Sequence, residues 1–205
     1  MANYCSNLIT INGDPELIKI IATDYIGLDE NDDSVEFTFE WLVPIPEEVQ
    51  DDSYYWRINN WGNKWCGDDA YVEIDDTQIY ISVDTAWSPC DKWTYKLIEM
   101  CPAVNIYHEY FEPGCAFIGW IEHSHFEGPD EYNECTASYS DNPYEYWMTV
   151  FEKEYESFDW LYELVEDSFD CEDITEEDKD ELIQLIEIDA PLETVIQTFI
   201  EKGVL

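Results

Sequence analysis

The chain has 205 residues, 49 of them acidic against 8 Lys+Arg, and a formal net charge of −41. A field of that sign repels phosphates, which sets direct binding to DNA, RNA or an anionic membrane aside and favours a basic partner. Hydrophobic residues at 45% and aromatics at 16% supply a core, so the charge does not imply disorder. The length fits one domain with an appendage, or two small ones. Nine Trp, fifteen Tyr, nine Phe and seven Cys argue against salt adaptation as the source of the acidity. The cysteines are scattered, odd in number and lack a C-x-x-C pair, which points to a reducing, cytoplasmic setting rather than a zinc ribbon or disulfide scaffold. No signal-peptide pattern opens the chain, and no apolar run of about 18 residues predicts a membrane span.

Residues 3–12 alternate, with Tyr4, Ser6, Leu8 and Thr10 on one face and Cys5, Asn7, Ile9 and Ile11 on the other, which predicts a strand. Asp14 and Pro15 then read as N-cap and first position of a helix carrying Leu17, Ile20, Ile21 and Tyr25, with Gly27 near its stop. Val35, Phe37, Phe39 and Trp41 alternate and predict a second strand, broken by Pro44 and Pro46. Asp29-x-Asn31-x-Asp33 followed by Glu40 superficially matches a calcium loop. Ser34 stands where that loop needs glycine, however, and the residues that follow alternate instead of forming a helix.

Residues 54–67 are rich in rings and contain Trp56, Arg57, Trp61, Lys64 and Trp65. Arg57 is the single arginine of the chain, and between Lys19 and Lys92 the one other cation is Lys64. Two cations among rings in so acidic a chain are held by ring faces, carboxylates or a ligand. Two readings stay open: a packed aromatic junction, or a binding surface built from Trp56, Arg57, Trp61, Lys64 and Trp65.

Residues 70–75 and 78–83 predict a hairpin about Asp75-Asp76-Thr77, with Ile79, Ile81 and Val83 on one face. Thr85-Ala86-Trp87-Ser88-Pro89 is a turn into a helix of about twelve residues with Trp93, Leu97 and Ile98, stopped by Pro102. Val104, Ile106, His108 and Tyr110 form one face of a further strand, and after Glu112-Pro113-Gly114 residues 115–122 return. The sum predicts an α+β class protein, a βαββαβ ferredoxin-like sandwich with an extra hairpin.

Four stretches carry a resemblance over roughly residues 1–125. They are Met1-Ala2-Asn3-Tyr4-Cys5-Ser6-Asn7 with Gly13-Asp14-Pro15; Trp56-Arg57-Ile58-Asn59-Asn60-Trp61-Gly62-Asn63-Lys64-Trp65; Thr85-Ala86-Trp87-Ser88-Pro89; and Tyr107-His108-Glu109-Tyr110-Phe111-Glu112-Pro113-Gly114 leading to Phe117-x-Gly119. In these the chain resembles the Api92-like, or YubB, proteins of phages and plasmids, which carry a ferredoxin-like domain. Cys90 departs from the second proline that the family pattern places after Ser88-Pro89. The resemblance implies the fold and a home on mobile genetic elements, and it implies no mechanism.

Beyond residue 127 the resemblance fades. Residues 134–139 and 144–151 read as short strands or a loop extending the sheet, which places a first domain at 1–151 and an acidic helical unit at 152–205. In that unit Phe158, Leu161, Tyr162, Val165 and Phe169 form an apolar helical stripe. Thr175-Glu176-Glu177-Asp178 resembles a capping box with Asp in place of Glu or Gln, ahead of Leu182, Leu185 and Ile186. Val195, Ile196, Phe199 and Ile200 mark a last helix ended by Gly203.

Residues 152–189 hold 17 acids and 2 Lys, one acid per about 2.2 residues. On a helix rising ~1.5 Å per residue, acids recur every ~3.4 Å, close to the ~3.4 Å phosphate spacing of a DNA strand. A charge run is ordinarily a solvated face. In a chain at −41 the alternative is a nucleic-acid mimic. Its partner-binding residues are then Asp159, Glu163, Glu166, Asp167, Asp170, Glu172, Asp173, Glu176, Glu177, Asp178, Asp180 and Glu181. The mobile-element setting gives such a mimic its partner, a basic host nucleic-acid-binding defence protein such as a CRISPR–Cas effector or restriction enzyme.

The catalytic alternatives are thin. His123 and His125 share a face if they lie on one strand, and with Glu122 or Glu127 could ligate a transition metal. His108 and Cys115 could pair across a turn as base and thiol, but no third group orients them. No phosphate-binding glycine loop, zincin or serine-hydrolase motif occurs. The sequence therefore predicts a non-enzymatic protein without cofactor or metal.

Overall fold

Strand β1 (Tyr4–Asn12) lies inside a six-stranded sheet, and the rest of its layer is built outward from it. The computed structural model describes residues 3–29, 34–126, 128–129, 131–154, 175–187 and 190–204. They divide into two compact units, Met1–Thr136 and Ala137–Leu205.

In the first unit the strands are β1, β2 (Leu28–Asp29), β3 (Ser34–Val35), β4 (Tyr71–Ile74), β5 (Gln78–Ala86), β6 (Asn105–Glu112), β7 (Phe117–His123) and β8 (Asn133–Ser138), the last running across the boundary. The main sheet has the order β4-β5-β1-β6-β7-β8, while β2 and β3 form a separate antiparallel pair. The pairings β4–β5, β5–β1, β1–β6 and β6–β7 are all antiparallel. The alternation read from β1 is present: Cys5, Asn7, Ile9 and Ile11 are buried, and Tyr4 is 60% exposed. Burial on one face fixes register, since a one-residue slip would exchange the two sets.

Helix α1 (Pro15–Ile21) starts as the sequence predicts, with Asp14 accepting from the Glu16 amide at 3.0 Å and Pro15 at the first turn. It continues as a π-helical turn, Ala22–Ile26, closed by Gly27 at φ 87°. Ile18, Ile21, Ala22 and Ile26 are buried, whereas Ile20, expected inside, is 52% exposed.

The strand expected over 35–41 is a difference. Only Ser34–Val35 pairs, and Phe39–Trp41 is a 3-10 turn. The alternation of Phe37 and Phe39 reports burial without a partner strand: both rings sit in an aromatic cluster with Trp61 and Trp93, at centroid separations of 5.5–5.7 Å. The Phe39 amide donates to Cys66 O, and Trp41 donates from Nε1 to Glu36 O. The sheet's missing strand is therefore supplied by β4, so the hairpin β4–β5 is a full member of the sheet and not an addition to it. Its turn is the one read from the sequence, with the Asp75 carboxylate accepting from the Thr77 amide at 2.8 Å.

Helix α2 (Tyr54–Trp61) follows, then α3 (Asp91–Met100). Gly62, at φ 91°, ends α2; a Cβ there would also collide with Pro89 O and the Asp91 carboxylate, so no other residue fits the crossing. Trp93, Leu97 and Ile98 of α3 are buried in the same core cluster as the inward residues of β1, β5 and β6.

The second unit holds α4 (Pro143–Glu154), α5 (Glu176–Glu187) and α6 (Leu192–Glu201). Residues 144–151, expected as an extension of the sheet, are thus helical. Asn142 caps α4, accepting from the Glu145 amide at 3.2 Å and donating to the Glu145 carboxylate at 3.3 Å. Leu182 and Ile186 pack with Val195, Ile196 and Phe199 and with Tyr144, Trp147 and Met148. The capping box is present: Thr175 Oγ1 accepts from the Asp178 amide, and the Asp178 carboxylate accepts from the Thr175 amide and hydroxyl. Leu185 is only half-buried.

Candidate functional site

Three features of the chain are chemically distinctive: a buried polar cluster, a cleft beside α2, and the acidic surface.

The polar cluster lies under α3. Asn7, Thr85, Cys90, Thr94 and His108 all have no exposed surface. The Cys90 amide can only donate, and it donates to Asn7 Oδ1 at 3.1 Å. This orients the Asn7 amide, whose Nδ2 donates to Cys5 O, Val83 O and Thr85 Oγ1 at 2.8–3.0 Å. With Oδ1 an acceptor, His108 must donate to it from Nε2, at 3.0 Å, leaving Nδ1 to accept from Thr94 Oγ1 at 2.8 Å. The tautomer is thereby inferred from the network. Cys90 Sγ stands 3.9 Å from the same Nε2. A nitrogen that already carries its proton cannot take one from the thiol, so this Cys–His proximity is not a nucleophile with its base. Burial pushes the His108 ring down to about 3 and the Cys90 thiol well above its ordinary value, so both are neutral. The pair expected from sequence, His108 with Cys115, does not form. Cys115 is exposed beyond β6, and its amide donates to Glu112.

His123 and His125 are likewise separated. Strand β7 ends at His123, so the alternation that would align them stops there. The ring nitrogens of His123 face the carbonyls of Glu131 and Pro102, at 2.7 and 3.2 Å. His125 meets Asn105 and lies against Phe126, the two rings tilted by 40°. Among the described residues no group of three or more His, Cys, Asp or Glu is placed to hold a metal ion.

The cleft, of about 550 Å³, is bounded by the loop after α2 and by the exposed face of β1, β4 and β5. The residues singled out in 54–67 divide around it. Trp61 is fully buried, donating from Nε1 to Val43 O at 2.9 Å, and Trp56 packs edge-on against it. Trp61 is thus core and presents no face to a partner. Arg57 and Trp65 line the cleft, and Lys64, half-buried, is outside its lining. The Arg57 guanidinium lies 5.3 Å over the Trp61 ring and donates from Nη1 to Lys64 O at 3.3 Å; its Nε is buried with no hydrogen-bond partner. Among the described residues no carboxylate is within ion-pair distance of Arg57. Asp68, Asp69 and Asp84 line the same cleft. Cys66 there donates to Asp68 at 2.9 Å, and burial, with that bond, raises its thiol. Tyr4 meets Trp65 at 5.3 Å, and Tyr71 is 56% exposed opposite. The sequence flagged Arg57 and Trp65. It missed Tyr4, Asp68, Tyr71 and Asp84, which come from three separated segments.

Of the acids expected to contact a partner, Asp159, Glu163, Glu166, Asp167, Asp170, Glu172 and Asp173 lie outside the described residues. Glu176 and Glu177 open α5, placed by their backbone. Asp178 is engaged in the capping box and with Lys202, which also pairs with Glu181 at 2.8 Å. Hydrogen bonds from Lys202 and Thr175 hold the Asp178 carboxyl at about 2. Asp180 is exposed.

No family model and no curated protein matches the sequence. Among solved structures, the chain is similar to protein api92 from Yersinia pseudotuberculosis, of family model DUF1281. The TM-score is 0.51 at 8% identity, over 67% of this chain and 99% of that one. At that identity the likeness speaks for the fold alone. Among the described residues no helix is long and apolar enough to cross a membrane.

Proposed function

We propose that this is an Api92-like protein of a phage or plasmid, acting in the host cytoplasm as an acidic, non-enzymatic decoy that occupies the basic DNA- or RNA-binding groove of a host defence protein. The order β4-β5-β1-β6 with α1 and α3 supports reading its first unit as a ferredoxin-like scaffold extended by β7 and β8. One observation carries the functional reading: 49 carboxylates face 8 cations, and of those cations Lys96 and Lys202 are already spent on neighbouring acids. The surplus is left to meet Lys and Arg of a partner as charge-assisted pairs. Such association is fast and screened by salt.

The test is a pull-down from host lysate at low salt followed by salt elution. A basic nuclease or effector eluting between about 0.2 and 0.5 M salt supports the decoy. Affinity that is the same at about 0.1 and 0.5 M salt refutes it, since exposed charge pairs cannot survive that screening unchanged. Replacing Asp159, Glu163, Glu166 and Asp167 by their amides should weaken the complex without unfolding the first unit.

A second reading is favoured by Arg57. A guanidinium that makes no ion pair among the described residues and opens into an aromatic-lined cleft is arranged for a ligand, and the surface around Trp65 is then a protein- or ligand-interaction module.

A further inference from the structure

Resting on that second reading, and independent of the decoy, we propose that the cleft takes a zwitterionic aromatic α-amino acid, its carboxylate on Arg57 and its ammonium on Asp84 and Asp68. Arg57 has donors to spare, because Nη1 bonds a backbone carbonyl and, among the described residues, no carboxylate neutralises it. A planar fork of that kind matches a carboxylate with two parallel hydrogen bonds.

The rest of the lining decides what else the ligand carries. Asp68 and Asp84 each keep one oxygen outside the bond described for them, the first taken by Cys66 and the second by Ser6 at 3.2 Å. Asp69 stands beside them. A dianionic phosphate on Arg57 would face three carboxylates and the field of a chain at −41. Unit charges ~4 Å apart near a surface interact by several times thermal energy, so this cleft repels phosphates. A zwitterion answers both signs and brings no net charge. The same lining carries three rings, Tyr4, Trp65 and Tyr71. They suit a side chain that stacks. The volume, about 550 Å³, lies in the range of small-ligand sites.

Calorimetry with the intact chain and three probes tests this: L-phenylalanine, 3-phenylpropionate, which lacks the ammonium, and phenethylamine, which lacks the carboxylate. L-phenylalanine should bind, each truncated probe should bind at least about tenfold more weakly, and Arg57→Gln should lose binding while Asp76→Asn, on the hairpin turn, keeps it. The probe series uses the unaltered protein, so it stands even if Arg57→Gln loosens the packing on Trp61. Equal binding of all three probes would mean an apolar slot and overturn the proposal, as would preference for 3-phenylpropionate or no binding of L-phenylalanine. If L-phenylalanine is silent but Trp65→Ala abolishes capture of a host protein, the cleft remains an interaction surface and only the amino-acid assignment falls.

Discussion

Replacing Asn7 by alanine should destabilise the first unit by about 4 kcal/mol without touching any exposed surface. The side chain is wholly buried, and its Oδ1 is the acceptor for both the Cys90 amide and His108 Nε2. Alanine leaves two buried donors without partners, at about 1–3 kcal/mol each, which brackets the loss between about 2 and 6 kcal/mol. The carbonyls of Cys5 and Val83 add less, since an oxygen with two lone pairs tolerates losing one bond better than an amide hydrogen tolerates losing its only one. With a urea dependence of about 2 kcal/mol per molar, the midpoint should fall by about 2 M, followed by intrinsic fluorescence. Asn59→Ala, on the exposed side of α2, is the control and should stay within about 0.5 kcal/mol. Thr94→Val, which removes the hydroxyl that meets His108 Nδ1 and Cys90 O, should fall between the two. A loss below about 1 kcal/mol for Asn7→Ala would refute the reasoning and mean that water or rearrangement satisfies the cluster.

His108 is neutral in the folded protein, with its ring pushed down to about 3, but takes a proton near 6.5 once unfolded. The unfolded state therefore binds more protons below that value. The group's stabilisation is complete above pH 6.5 and is lost as pH falls towards 3, by at most about 1.4 kcal/mol per pH unit. Urea midpoints between pH 7 and 5 should fall in the native protein and less steeply in His108→Gln. A thiol reagent on the native protein, mapped by mass spectrometry, should, among the cysteines of the described residues, modify exposed Cys115 first and half-buried Cys66 more slowly. Cys5 and Cys101, buried with thiols raised to about 12 and 11, and Cys90 should react only after unfolding. Thr175→Ala removes the cap of α5 and should cost the second unit about 1 kcal/mol, read as lost helical signal on mild heating.

What the sequence disclosed depended on how local the determinant was. The start of α1, the hairpin turn at 75–77 and the capping box at 175–178 each rest on contacts within three residues, and all three are present. The Asn142-Pro143-x-Glu145 cap at the start of α4 is equally local, yet the residues after it, Tyr144, Tyr146, Trp147 and Val150, favour strand by propensity. Phe37 and Phe39 alternate because two rings face one core, and period alone cannot tell a paired strand from a segment laid across helices. The motifs behind the family resemblance are in large part interior: Asn7, Thr85, Trp61 and His108 are all buried. They specify packing, which is why they pointed to a fold and not to a reaction. The cleft could not be read in advance, since the sheet's register brings Tyr4, Tyr71 and Asp84 together, while Arg57 and Asp68 reach them from α2 and the loop that follows it.

Strand β4 ends the sheet with only four residues, Tyr71–Ile74. An unpaired edge invites a second chain to zip alongside at about 4.8 Å. Here Asp68 and Asp69 precede the strand, Glu73 lies within it, and Asp75 and Asp76 follow, all exposed. Any copy approaching this edge brings the same carboxylates against them. The acidity thus keeps neighbouring molecules apart. The protection depends on ionisation. Near the sequence pI of about 4.1 the repulsion disappears while the backbone groups of the edge remain available, so mild acid is the condition in which this protein meets itself.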